Sequence, residues 1–145
     1  MDVPAQQLAQ RLSVATTRLS RMLRQQDRGE LTLTYRAALA TIERRGPMTL
    51  GELAEVEHIA PPTVTKMIAA LAERGLVARS GDTGDRRVTR VSITPAGAEL
   101  LALDRKRRTE WLAGRVRRLD PADRERLAAA IDVLEALTER EVQRA

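Results

Sequence analysis

The sequence predicts a mainly α fold carrying one small antiparallel β ribbon of two to three strands. Three observations predict it. Apolar residues recur at helical spacing near both ends of the chain. Helix-start signals, a Thr-x-x-Glu and several hydroxyl-Pro or Asp-Pro pairs, divide the rest into segments of helical length. One stretch alone, from Leu76 to Ile93, has strand composition around a turn-rich centre.

The first helix is expected from Val3 to about Gln25. Leu8, Leu12, Ala15, Leu19 and Met22 step by four and three, a narrow seam that suits packing on another helix. Arg11, Arg18, Arg21 and Arg24 lie off or beside that seam. Asp27-Arg28-Gly29-Glu30 reads as a loop. A second helix follows from Thr32 or Thr34 to Arg45, with Leu39 and Ile42 inward, and Gly46-Pro47 ends it.

Thr49 and Glu52 form a capping box ahead of the third helix. Leu50, Leu53 and Ala54 share one face, while Glu52, Glu55 and Glu57 lie elsewhere. No basic residue falls between Thr49 and Ile59, so this helix reads as support, unsuited to lying on phosphate. His58-Ile59-Ala60 is the turn, and His58 is the expected positive-φ residue, since His is among the few non-Gly types enriched there. It is the only His, which argues against a His-based metal site or catalysis.

The fourth helix begins at Pro61-Pro62, a proper place for rings without an N–H. Val64, Met67, Ile68 and Leu71 mark its buried face, and Gly75 its stop. Thr63, Thr65 and Lys66 occupy the other face, where hydroxyls and a cation can meet base edges and phosphates. An ordinary solvated face is the alternative. Strands are expected at Leu76–Arg79 and Val88–Ile93, joined by a turn rich in Gly and Asp. Arg86 and Arg87 stand near its tip, where an arginine can enter a minor groove. Asp85 is expected to hold one guanidinium.

Thr94-Pro95 opens a long helix to about Arg118, with Leu100, Leu101, Leu103, Trp111, Leu112 and Val116 as its apolar residues. Its charged middle, Asp104 to Glu110, is expected to be a solvated span. Asp120-Pro121 opens a last helix through about Val142, with Leu127, Ile131, Leu134 and Leu137 on one face.

Helix, turn, helix and basic-tipped ribbon together describe a winged helix-turn-helix, a device for placing one helix in the DNA major groove. The length fits one domain over residues 1–145. Within it, residues 31–94 are the expected DNA-binding region, and 1–30 with 95–145 a helical dimerisation region. The terminal seams have no obvious burial in a monomer, so a symmetric homodimer is expected.

Composition narrows the functions. Cysteine is absent, which excludes disulfides, thiolate metal sites and thiol redox sensing. Neither a signal peptide nor a membrane span is visible, so a cytoplasmic location is expected. The net charge is +5, but its distribution says more. Residues 60–93 hold six basic and three acidic side chains, so the DNA reading rests on local clustering. Lys66 and Lys106 are the only lysines; arginine supplies the other cations, which fits phosphate binding and equally a GC-rich coding bias. No nucleophile–base pairing, glycine phosphate loop or metal cluster is present, so no catalytic residue, metal or cofactor is expected.

Thr49 to Ala98 resembles the core of the multiple-antibiotic-resistance regulator (MarR) family. The matching pieces are L-x-x-L-A at Leu50 to Ala54, I-A-P-P-T-V-T-K at Ile59 to Lys66, L-x-x-R-G-L-V at Leu71 to Val77, and D-R-R followed by V-S-I-T-P-A-G at Val91 to Gly97. Two positions depart from the pattern: His58 stands where the family usually has Gly, and Ala60 where it usually has a capping Ser. The resemblance implies a DNA-binding transcriptional regulator, a homodimeric repressor of a near-palindromic operator. It implies contacts to double-stranded DNA from Pro61, Pro62, Thr63, Thr65, Lys66, Arg86 and Arg87. It also implies release by a small lipophilic or aromatic acid, or another anionic compound. Arg18, Arg21, Tyr35 and Trp111 are the candidates for that ligand by their chemistry, although core packing or solvated surface describes each singly. A winged-helix module for protein contact, or a DNA-binding regulator without an effector, remains the alternative.

Overall fold

The computed structural model describes residues 3–29, 31–81, 84–85 and 87–139. In chain order its elements are α1 (Ala5–Arg24), α2 (Leu33–Arg45), β1 (Met48–Thr49), α3 (Leu50–Glu57), α4 (Pro61–Glu73), β2 (Val77–Gly81), β3 (Thr89–Ile93), α5 (Pro95–Val116) and α6 (Pro121–Thr138). They divide into two compact units, one of residues 24–107 and one of residues 1–23 with 108–145.

The 24–107 unit holds the core. Leu39 and Ile42 of α2, Leu53 of α3, Val64, Met67, Ile68 and Leu71 of α4, and Val91 of β3 are all fully enclosed. Met48, Val77 and Leu101 close its edges. The inward residues expected on these helices are the ones found there. Each such side chain contributes about 1.5–3 kcal/mol through burial. With no Phe in the chain, branched aliphatics and Met fill this space.

Local signals place the helix ends. Thr32 is the α2 N-cap, its hydroxyl accepting from the Tyr35 N–H, which settles the choice between Thr32 and Thr34. The α3 capping box is complete: Glu52 N–H donates to Thr49 Oγ1 at 3.1 Å and Thr49 N–H to Glu52 Oε2 at 2.9 Å. Asp120 caps α6 by accepting from the Asp123 N–H at 2.8 Å. The α5 helix stops at Val116, slightly before the expected Arg118. The end expected for α6, near Val142, lies outside the described residues.

The sheet is antiparallel with order β1-β3-β2. The third strand is β1, two residues that pair Met48 with Val91 and Thr49 with Arg90. In the ribbon, Val77 pairs with Ile93 and Arg79 with Val91. Thr94 locks its base. Its N–H donates to the Leu76 carbonyl, its hydroxyl donates to the Gly75 carbonyl, and the Gly97 N–H donates to that hydroxyl. Gly97 rests directly on the Leu76 carbonyl, where a Cβ would overlap the oxygen.

One expectation is corrected. Asp104 does not belong to a solvated span; it is 3% exposed and paired with buried Arg36 of α2. Arg36 also donates to the Leu31 carbonyl at 3.2 Å and the Arg28 carbonyl at 2.9 Å. A charge is tolerated there because it is paired and its donors are used. Arg105 nearby pairs with Glu43 at 2.9 Å.

The other unit contains α1 and α6, neither of which has a buried residue. Leu8, Leu19, Ile131 and Leu137 are 54%, 40%, 43% and 66% exposed. Their apolar faces are therefore left open in the single chain. Among the described residues no helix is long and apolar enough to cross a membrane.

Candidate nucleic-acid interface

The turn between α3 and α4 is made by one residue in the left-handed region. His58 has φ 53 and ψ 45, as its position implies, and its N–H reaches back to the Ala54 and Glu55 carbonyls. Ile59 N–H also donates to the Ala54 carbonyl, at 3.0 Å. The chain thus leaves α3 sharply and enters α4 within three residues. Glu57, at the end of α3, accepts from the Thr41 hydroxyl, which in turn accepts from Arg44 at 3.2 Å, tying α3 to α2. Exposed Glu52 and Glu55 make the outer face of α3 acidic, in keeping with a supporting helix.

The start of α4 has an unusual inventory of donors. Pro61 and Pro62 carry no N–H. Ala60 is the N-cap and makes no side-chain cap bond. The Thr63 and Val64 N–H groups both donate to the Ala60 carbonyl, at 2.9 and 3.1 Å. A helix N-terminus ordinarily offers free amides to an anion; here Pro61, Pro62 and Thr63 offer none. What they present outward is two pyrrolidine rings and side chains.

Pro61, Pro62, Thr63, Thr65 and Lys66 are all exposed on α4, while Val64, Met67, Ile68 and Leu71 are buried behind them. The five candidates therefore share one free surface on a helix seated firmly by its other side. Thr65 donates its hydroxyl proton to the Pro61 carbonyl at 3.1 Å. It meets solvent as an acceptor and a methyl group, a combination suited to a base amino group or a thymine methyl.

Arg87 is exposed at the ribbon end. Its main-chain N–H donates to Asp85 Oδ1 at 3.0 Å. Asp85 thus shapes the turn through the backbone, and the guanidinium pairing expected of it has Arg86 as one of its two candidates. Arg86 lies outside the described residues. Sequence reading passed over Arg79, an exposed guanidinium on β2; strand alternation from Val77 was the signal available for it. It also missed the Arg36–Asp104 pair, for which no local signal exists.

The ligand candidates fall in different units. Arg18 and Arg21 are exposed on α1, and Arg18 lines a shallow groove with Gln10, Arg11, Val14 and Ala15. Trp111 is half-buried, with the Arg115 guanidinium 4.3 Å from its ring centre. Tyr35, in the other unit, packs half-buried against the core. Among the described residues no cluster of His, Cys, Asp and Glu is placed to hold a metal ion.

Known proteins share these features. The sequence profile of the MarR family matches residues 31–89. An HTH-type transcriptional regulator of Mycobacterium tuberculosis (strain CDC 1551 / Oshkosh) is 41% identical over 133 residues, covering 91% of this chain and 93% of that protein. The crystal structure of a presumed transcriptional regulator from Pseudomonas aeruginosa PA01 superposes with a TM-score of 0.82 at 32% identity, over 96% of this chain and all of that one. The multiple antibiotic resistance repressor MarR has the same fold, with a TM-score of 0.72 at 20% identity over 96% of this chain and 98% of its own. A helix-turn-helix with a three-stranded wing, a relative this similar over nearly its full length, and the matching profile lead to one conclusion: the chain belongs to the MarR family of transcriptional regulators.

Proposed function

We propose that this regulator is a homodimeric repressor of a near-palindromic operator, released by a small aromatic or anionic ligand. The observation that carries the DNA contact is the free face of α4, where Pro61, Pro62, Thr63, Thr65 and Lys66 stand exposed over a buried opposite side. That face enters the major groove, and Arg86 and Arg87 of the wing reach the adjacent minor groove. The open apolar faces of α1 and α6 support pairing of two copies. A two-fold axis then sets the reading helices ~34 Å apart, one turn of the duplex. A dimer covering its operator competes for that DNA with other proteins, the simplest route to repression.

Arg18, Arg21, Tyr35 and Trp111 are the proposed ligand contacts. Whatever the ligand, it acts by preferring one dimer geometry. A coupling of ~1–3 kcal/mol changes operator affinity about 5–150-fold.

The deciding experiment selects bound duplexes from random DNA, then measures affinity against salt for the wild type and for Arg86→Ala with Arg87→Ala. A recovered inverted repeat, and a shallower salt slope in the variant, are expected. An unchanged slope removes the wing from the interface. No binding to any duplex at low ionic strength leaves the winged helix as a module for protein contact. Screening lipophilic acids against the recovered site tests release.

A further inference from the structure

The wing carries a second kind of arginine, and the strand register separates it from its neighbours. Residues directly opposite each other in an antiparallel pair share a face of the sheet. Val77 pairs with Ile93 and Arg79 with Val91, so Val77, Arg79 and Val91 lie on one face. Val77 and Val91 are buried in the core with Met67 and Leu71 of α4. Arg79 therefore stands on the side of the ribbon that carries α4, past the end of the core, and it is exposed. Arg90 pairs with Ser80 and belongs to the opposite face; it has an interaction of its own. Arg74, after α4, is likewise engaged. Asp85, the described acidic residue nearest the tip, accepts the Arg87 N–H through Oδ1.

Arg79 sits about midway along β2, between the end of α4 and the turn. At roughly 3.3 Å per residue it is some two residues, about 7 Å, from either end of the strand. When α4 occupies a major groove and the tip a minor groove, one sugar-phosphate strand runs between them. We infer that Arg79 is a phosphate anchor, its guanidinium held by that dividing strand. The inference rests on the proposed DNA reading of α4 and the wing. The planar fork suits two phosphate oxygens at once, and such a contact fixes register and carries no base information. The β2 strand is the edge of the sheet, so no further strand stands between Arg79 and the duplex.

The test uses the full chain and a duplex selected by the wild type from random DNA. Arg79→Ala is expected to lower affinity on the order of tenfold for that duplex and for a scrambled one alike. The slope of log K against log salt should fall by ~1.8, about 0.9 for each of the two protomers. Arg79→Lys should keep the slope and recover part of the affinity, because a point cation still neutralises phosphate. Single methylphosphonate substitutions along the duplex should reveal one phosphate in each half-site whose neutralisation weakens the wild type but not Arg79→Ala. An unchanged slope, a loss confined to the selected duplex, or no such phosphate would overturn the inference. Should Arg79→Ala prove poorly folded by circular dichroism, Arg79→Gln is read against Arg79→Lys in the same way. Failure of the wild type to bind any duplex defeats the DNA reading itself; binding by the wild type with an indifferent Arg79 defeats the anchor alone.

Discussion

His58 shows how far one side chain can be asked to depart from its preferred backbone. Its φ of 53 is a region where L-residues other than Asn, Asp and His seldom settle. His58→Gly is expected to leave stability unchanged or raise it by up to about 1 kcal/mol, since Gly enters this region without a Cβ penalty. His58→Val should cost more than about 1 kcal/mol. Urea unfolding at fixed protein concentration measures both. On α4, single residues divide their labour by chemistry. Thr63→Ala and Thr65→Ala are expected to weaken specific binding more than non-specific binding, because the proposed docking turns their oxygens and methyls toward bases. Lys66→Ala should reduce both. Competition against scrambled duplex separates the two outcomes. Thr65→Val tests the same hydroxyl while keeping the branched shape; a variant that discriminates as well as wild type would leave that acceptor without a role.

At the scale of elements, what could be read from sequence was what neighbours in sequence decide. The α3 start depends on Thr49 and Glu52, three positions apart, and the α6 start on Asp120 and Pro121. The turn at His58 and the free face of α4 were visible for the same reason. Strand β1 was not legible as a strand, because two residues carry no period and exist as a strand only through Val91 and Arg90. Asp104 was misread because its burial is decided by Arg36, far away in the chain. A run of charges around it looks solvated until that partner is known. Removing one member of such a pair strands the other. Asp104→Ala is expected to destabilise by about 3–5 kcal/mol, while Arg36→Met with Asp104→Leu should lose much less. Chemical denaturation of the two variants provides the comparison, and equal losses would show that the pair's own geometry matters more than the isolated charge. Arg36 also holds the Arg28 and Leu31 carbonyls. The same variants should therefore loosen the segment ahead of α2, read as faster amide exchange there.

For the whole molecule, the decisive fact is an imbalance of burial. The 24–107 unit encloses a hydrophobic core, whereas α1 and α6 have no buried residue. If two copies cover these faces, thermal stability must rise with protein concentration by mass action. Melting over a hundredfold dilution, together with sedimentation, checks this. A folded monomer at micromolar concentration with a concentration-independent midpoint would contradict it. Leu137→Asp and Ile131→Asp are expected to lower the dimer fraction while leaving the core of the 24–107 unit intact. The charge balance gives little guidance at this scale: a net +5 describes the sum, and the DNA reading depends on where Lys66, Arg79 and Arg87 stand.

Thr94 joins the feet of the ribbon to the end of α4 and the first turn of α5 by three hydrogen bonds. The ribbon is therefore anchored like a bracket at its foot, and the described residues of its far end, Gly84, Asp85 and Arg87, stand exposed. Its loop invites exchange as a cassette: a chain carrying residues 82–87 of a relative is expected to keep the wild-type urea midpoint. Under the proposed DNA reading, minor-groove preference would then travel with a six-residue graft, leaving α1, α4 and α6 as the recipient's own.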